Sequence, residues 1–320
     1  MGPRIYLRKT LWKSPGPMTT VAVTMCTFRR PQVVETLHSV DRQSLPDRMR
    51  LRIIVVDNDT TDTARPAIEA AATKAIWPVS YVHAPAGNIS IARNAGLEAA
   101  GDVDWVAFLD DDEIAEPGWL ATLLDCAQAT SADGVFGPSL ARYGDLAPPW
   151  IRAGDYHSNI PTRNAGSVIT GHTCNALLRW NGAPWTGARF DLSRGRSGGE
   201  DTAFFLDLYQ IGARFEICLD AVVKEEIEAN RLTFRWLARR RYRSGQSFAA
   251  FASGRRAKIL LIITASAKLL SCGLAAIPTA LSTPRRNYWL LRGILHAGVV
   301  AGCINLAQAE LYGIKTEGQI

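Results

Sequence analysis

The sequence predicts an α/β protein: a mostly parallel sheet flanked by helices, followed by a helical C-terminal segment. Three observations carry that expectation. Short apolar runs recur at residues 21–26, 51–56, 79–82, 104–109 and 134–136, and they are continuous rather than alternating. Helix-patterned stretches fall between them. Continuous apolar strands separated by helices are the pattern of a parallel sheet covered on both faces. Beyond residue 230 the strands give way to helical and long apolar stretches.

The first strand, 21–26, follows a Pro/Gly-rich linker and a basic N-terminal extension, residues 1–20, which lacks a continuous apolar stretch and so does not read as a signal peptide. A helix over 31–43 has Pro31 in its first turn, where the missing N–H has no partner to lose. The second strand, 51–56, ends in Asp57-Asn58-Asp59, and an Ala-rich helix over 62–76 follows. After the strand at 79–82 comes a helix over 88–100, capped by Asn88 or Ser90. The strand at 104–109 runs into Asp110-Asp111-Asp112-Glu113; a helix over 117–129 and a short strand at 134–136 follow. Ala147-Pro148-Pro149-Trp150 marks a break. A strand-like stretch over 167–178, a loop rich in Gly, Trp and Arg, a helix opened by Ser197-Gly198-Gly199-Glu200-Asp201 and running to about residue 210, and a strand at 215–219 complete this part.

The C-terminal part mixes aromatics and arginines at helical spacing over 234–256, then shows two apolar runs, 259–281 and 289–307. The first is long enough to span a bilayer and carries only Lys268. A membrane hairpin, a pair of interfacial helices and a buried soluble pair all fit. The expected domains are therefore the extension 1–20, an α/β domain 21–230 and a membrane-associated or membrane-spanning region 231–320.

Composition narrows the class. Apolar residues make up 47 % and charged residues 21 %, which fits a globular chain and excludes a disordered one. The net charge is +6, yet twelve Lys/Arg and no Asp/Glu fall within residues 231–286, leaving the remainder net acidic. Such a basic module meets phosphates or anionic headgroups. No nucleic-acid-binding motif accompanies it, so nucleic acid is not an expected partner. The six cysteines are scattered, with no CxxC pair, and read as small buried hydrophobes of a reducing compartment.

The residues that carry chemistry lie at strand ends. In parallel sheets ligands bind at the carboxyl ends of strands, so Asp57 and Asp110–Asp112 converge on one crevice. Three adjacent carboxylates ask for a counter-charge, and hard cations such as Mg²⁺ or Mn²⁺ take carboxylate oxygens while keeping positions open for substrate phosphates. A solvated acidic turn ahead of the next helix is the plainer account of the same run. Asp57-Asn58-Asp59 reads as a turn or a site, and Glu200-Asp201 as helix N-terminal charge or as a catalytic pair.

Four elements in order, Thr27-Phe28-Arg29-Arg30, Val56-Asp57-Asn58-Asp59, Leu109-Asp110-Asp111-Asp112 and Gly198-Gly199-Glu200-Asp201, resemble the inverting glycosyltransferases of family 2, with their GT-A nucleotide-sugar fold, and most of all bacterial exopolysaccharide transferases of the succinoglycan type. The resemblance covers about residues 21–246. It implies that Asp57 bonds the nucleotide base, with Thr27, Arg29 and Asp59 bordering the nucleoside. It implies that Arg93 lies near the phosphates, that Asp110 and Asp111 touch ribose and metal, and that Asp112, with Asp110, holds Mg²⁺ or Mn²⁺. Asp201, with Glu200, matches the general base. We further expect Arg241 or Arg243 to contact the donor phosphates, Trp185 to line an acceptor pocket, and His172 to be a structural strand residue. The second motif departs from the family's usual Asp-Asp-Gly-Ser. The Gln-x-x-Arg-Trp signature of processive synthases is absent, so addition of single sugars is expected. The expected reaction is metal-dependent transfer from a UDP-sugar to a lipid-linked or surface glycan at the cytoplasmic face of the inner membrane. A polyprenyl-phosphate sugar synthase and a non-catalytic nucleotide-sugar-binding scaffold are the alternatives.

Overall fold

The structure, a computed structural model, describes residues 18–252 and 254–306; most of the basic extension falls outside these residues. The first strand, β1 (Thr19–Thr27), is followed by α1 (Val33–Asp41), β2 (Met49–Asp57), α2 (Arg65–Ala72), β3 (Val79–His83), α3 (Ile89–Ala100) and β4 (Trp105–Asp110). Parallel pairing joins β1 to β2, β2 to β3 and β1 to β4. Consecutive side chains leave opposite faces of a strand, and here both faces are covered. Val21, Val23, Met25, Ile53 and Val55 pack with Val33, Leu37 and Val40 of α1 on one face. Ala22, Ile54 and Val56 pack with Ala92 and Leu97 of α3 on the other. That double burial is why the strands read as continuous apolar runs. Helix α3 lies tight on β1: a Cβ at Gly96 would come within 2.3 Å of the Thr24 hydroxyl.

The chain continues through β5 (Glu113–Ala115), α4 (Trp119–Thr130), β6 (Gly134–Phe136), β7 (Ser139–Arg142), α5 (Pro149–Gly154), β8 (Asn175–Arg179), α6 (Glu200–Gln210), β9 (Phe215–Ile217) and β10 (Val223–Glu226). The central sheet has seven strands in the order β3-β2-β1-β4-β8-β6-β9. Strand β8 runs antiparallel to both β4 and β6. Only residues 175–179 of the expected strand over 167–178 are strand. A second sheet, β5-β10-β7, stands beside the first; its strands of three or four residues are too short to announce themselves in sequence.

The C-terminal segment is helical throughout its described part: α7 (Phe234–Ala249), α8 (Arg255–Ala276) and α9 (Thr283–Cys303). Helix α9 lies against both α7 and α8. Glycines let α7 and α9 approach backbone to backbone: a Cβ at Gly298 would sit 1.9 Å from the Tyr242 carbonyl, and one at Gly245 2.1 Å from the Leu295 carbonyl. The second apolar run is therefore one side of a helix bound to the body of the protein. Helix α8 is the outer layer. Among its described side chains only Ala265 and Cys272, seven residues apart and so on one face, are buried.

Candidate active site

Register places the site. Thr27 pairs with Asp57 and Cys26 with Asp110, so the carboxyl ends of β1, β2 and β4 finish side by side. At the end of β2, Asp57 is fully enclosed. One carboxylate oxygen accepts the Asp59 amide at 3.0 Å; the other accepts the Ala64 amide at 3.2 Å and the Tyr81 hydroxyl at 2.9 Å. Asp59, also enclosed, accepts from Arg29 Nε at 2.9 Å, and that guanidinium above all holds its carboxyl down at about 2. Arg29 itself adopts a positive φ of 56°, a strained backbone for a residue with a Cβ. Asp57 and Asp59 thus close and join the loops that follow β1 and β2, with the half-exposed Arg29 as the reaching side chain.

The aspartate run separates into three directions because its turn is pinned from beneath: the Asp110 amide donates to buried Glu113 at 3.1 Å. Asp110 turns toward Arg93, 3.8 Å away. Asp111 is tucked against Arg30 at 3.1 Å, with the buried Thr27 hydroxyl facing it. Asp112 is paired with Arg30 and, at 3.3 Å, with Arg231. Asp110, 46 % exposed, and Asp112, 17 % exposed, are the members that reach the crevice. Desolvation, with repulsion from neighbouring carboxylates, pushes Asp110 up to about 6, Asp111 to about 7 and Glu225, behind Arg231, to about 7.

The opposite wall is the N-terminus of α6. Gly198 and Gly199 both have positive φ, 84° and 81°, which only glycine adopts without strain, and this sharp entry presents Glu200 and Asp201 on the first turn. Glu200 is buried and paired with Arg93. Arg93, which Glu200 and Asp110 keep firmly charged despite its burial, therefore ties the aspartate run to α6. Asp201, 18 % exposed, accepts from Thr202 N at 2.6 Å and meets His172 Nδ1 at 2.9 Å. The pair shifts in opposite senses: Asp201 is held below the usual carboxylate range and His172 above the usual imidazole range, despite desolvation pulling each the other way.

Several expectations need correction. Trp185 is 3 % exposed, lies in the core with Phe190 and donates its indole N–H to the Arg179 carbonyl, so it fills the fold and lines no acceptor pocket. Arg243 is buried and donates from Nε to the Ser197 carbonyl at 2.9 Å; it braces the loop that carries Glu200 and Asp201. Arg241 lies near Arg240 and Tyr156. On the same turn of α7, Arg240 lies over the Trp236 ring at 5.3 Å and near enough to His172 and Glu225 to act on their charge. His172 is no passive strand residue: it lies outside β8, half-exposed and bonded to Asp201. Sequence reasoning also passed over Glu113, Glu225, Arg30 as a clamp on Asp111 and Asp112, and Arg231. Arg30 ends the first motif, and Glu225 with Arg231 bounds the turn into the basic segment, but no spacing links them to residue 112.

A divalent cation can be tested against this donor set. Carboxylate oxygens of Asp112 and Asp110 are hard ligands reaching an open crevice where uncompensated negative charge accumulates, which suits Mg²⁺ or Mn²⁺ bound through one or two carboxylates and substrate phosphates. Among the described residues no three His, Cys, Asp or Glu side chains form a ready-made cage, so the protein side of such a site is this minimal one.

The succinoglycan biosynthesis protein ExoM of Rhizobium meliloti (strain 1021) is 43 % identical over 305 residues, covering 94 % of this chain and 98 % of that one. Glycosyl transferase family 2 matches residues 22–180, the stretch from β1 through β8. The chain belongs to that family. Its fold is the GT-A type. The mannosyltransferase PcManGT of Pyrobaculum calidifontis, solved with GDP-Man and Mn²⁺, aligns with a TM-score of 0.62 at 20 % identity over 92 % of this chain and 90 % of its own. Residues 1–349 of TarS from S. aureus, solved with UDP-GlcNAc, align at 0.51 and 14 % identity over 86 % and 90 %. As a member of the family this protein is a glycosyltransferase.

Proposed function

We propose that this protein adds a single sugar from a UDP-sugar to a lipid-linked glycan in exopolysaccharide synthesis, inverting the anomeric centre, at the cytoplasmic face of the membrane. The ExoM likeness supports the process. One observation carries the chemistry: Asp201, ionised and reachable, stands at the N-terminus of α6 across a crevice from Asp110 and Asp112.

In this mechanism the nucleoside lies over the loops closed by Asp57 and Asp59, bordered by Thr27 and Arg29. The acceptor hydroxyl approaches Asp201, whose carboxylate oxygens keep lone pairs beyond those used by Thr202 and His172. Asp201 takes the hydroxyl proton as the oxygen attacks from the face opposite the diphosphate, which inverts the centre. His172 orients the carboxylate, and Glu200, through Arg93, fixes the first turn of α6 relative to Asp110. A Mg²⁺ or Mn²⁺ ion held by Asp112 with Asp110 supplies, when bound, the positive charge that offsets the leaving diphosphate. Arg30 and Arg231 hold Asp112 in place for that role.

The deciding experiment offers UDP-, GDP- and dTDP-sugars to the purified protein with a lipid-linked saccharide or with polyprenyl phosphate alone, with Mn²⁺ or with EDTA. Transfer from a UDP-sugar to the lipid-linked saccharide, lost with EDTA, is the expected result. Transfer to polyprenyl phosphate alone would instead make it a polyprenyl-phosphate sugar synthase. Nucleotide binding without any transfer would leave the scaffold reading.

A further inference from the structure

Between α5, α9 and residues 232–234 lies an open cavity of about 470 Å³ that the mechanism does not use. Trp150, Leu232, Phe234 and Leu290 give it an apolar wall, and Arg286 and Asn287, on the first turns of α9, give it a polar end. Asn287 is 6 % exposed, and its amide makes no hydrogen bond among the described residues. Its amide opens onto the cavity, where it is available to a ligand. It lies beside a helix N-terminus whose flanking Ser282 supplies no side-chain cap. Free N–H groups, the positive end of the helix dipole, Arg285 and Arg286 together favour a phosphate.

The surroundings say what the phosphate is attached to. The segment leading into α9 exposes Ile277 and Leu281, the latter completely, at the end of the apolar α8. On the other side, the turn Ala229–Arg231 carries Arg231 to Asp112, and the next residues, Leu232 and Phe234, form the cavity wall. The cavity therefore lies between an exposed apolar segment and the chain segment whose Arg231 pairs with Asp112. We propose that it binds a lipid phosphate: the phosphate against Asn287, Arg286 and the α9 N-terminus, the first hydrocarbon units along Trp150, Phe234 and Leu290. The inference rests on the reading that the acceptor is lipid-linked, and it assigns the carrier's seat. The anchor is held by groups separate from Asp201 and Asp112, so specificity for the carrier is set apart from the chemistry.

The test uses the full chain and a short polyprenyl phosphate in phosphatidylcholine vesicles. Arg286→Glu reverses the charge at a surface position, Asn287→Leu removes the amide, and Leu290→Trp fills the apolar wall. Each is expected to weaken polyprenyl-phosphate binding at least tenfold while UDP binding in the presence of Mn²⁺ is unchanged, which also shows that the variants fold. Unchanged lipid binding in all three overturns the proposal. Competition by inorganic phosphate as effective as by polyprenyl phosphate overturns the lipid part, and equal competition by phosphatidylglycerol vesicles overturns the carrier in favour of bilayer headgroups. If the variants lose lipid binding but the parent glycosylates no lipid-linked acceptor, the cavity assignment stands and the acceptor reading fails.

Discussion

Asp201 and His172 share one hydrogen bond, and the proposed mechanism gives each its own task. Asp201→Asn removes the proton acceptor and is expected to lower kcat by roughly 10²–10⁴-fold with little change in donor affinity, read by steady-state kinetics against UDP binding. His172→Asn leaves the carboxylate but loosens it, and should cost about tenfold in kcat with KM for the donor unchanged; a wholly structural His172 would lower the folded fraction instead. The two histidines of this region also have opposite pH signatures. The bond of His172 to Asp201 raises its folded pKa, so its contribution to stability is present below the unfolded value and fades as pH rises through the raised one. His157 is buried against Tyr143, the Arg231 carbonyl and the Trp236 ring, and desolvation above all lowers it to about 4. Its neutral form is native, so stability holds above the unfolded pKa near 6.5 and falls as pH drops toward 4, by an amount on the order of 3 kcal/mol. Thermal unfolding across that window checks it: His157→Gln should flatten the acid slope, and an unchanged slope would place the lost protons elsewhere.

At the scale of elements, the helix termini and the glycine crossings do the positioning. The turn into α6 was legible because Gly198-Gly199 ahead of Glu200-Asp201 is a local signal, and helix bounds near 200–210 follow from it. The crossing of α7 with α9 was not, because Gly245 and Gly298 are far apart in sequence and mean nothing until their backbones meet. Gly298→Val is expected to force that crossing open, destabilising by about 3 kcal/mol or more through overpacking against backbone that cannot yield. Since α7 carries Arg243, which braces the α6 entry, the same substitution should also lower kcat; denaturant unfolding and turnover measured on one sample separate the two effects. Full stability in Gly298→Val would mean that the helices do not cross there.

The whole molecule is a catalytic α/β body with a basic, apolar helical layer. Arg255, Arg256 and Lys258 open α8, and Ile263, Leu270, Leu274 and Ile277 are exposed along it. Basic residues beside an apolar surface suit an anionic leaflet. Replacing Leu270 and Leu274 together by Asp is expected to reduce binding to vesicles containing anionic lipid at least tenfold, while leaving activity on a soluble acceptor. Retained binding would mean that another surface holds the membrane.

What the sequence by itself determined is local or periodic. The continuous apolar strands and intervening helices implied the parallel core, and the strand-end acids Asp57, Asp110 and Asp112 together with Glu200-Asp201 implied the crevice. Strand periodicity and motif order survive in one dimension because they depend on neighbours along the chain. Only the tertiary structure decided that Trp185 belongs to the core, that Arg243 braces the entry to α6, that Arg93 links Glu200 to Asp110, and that His172 meets Asp201. Each of these depends on which way a side chain points once segments pack, and pairings such as Arg93–Glu200 and His172–Asp201 join residues 107 and 29 positions apart, beyond the reach of any local pattern.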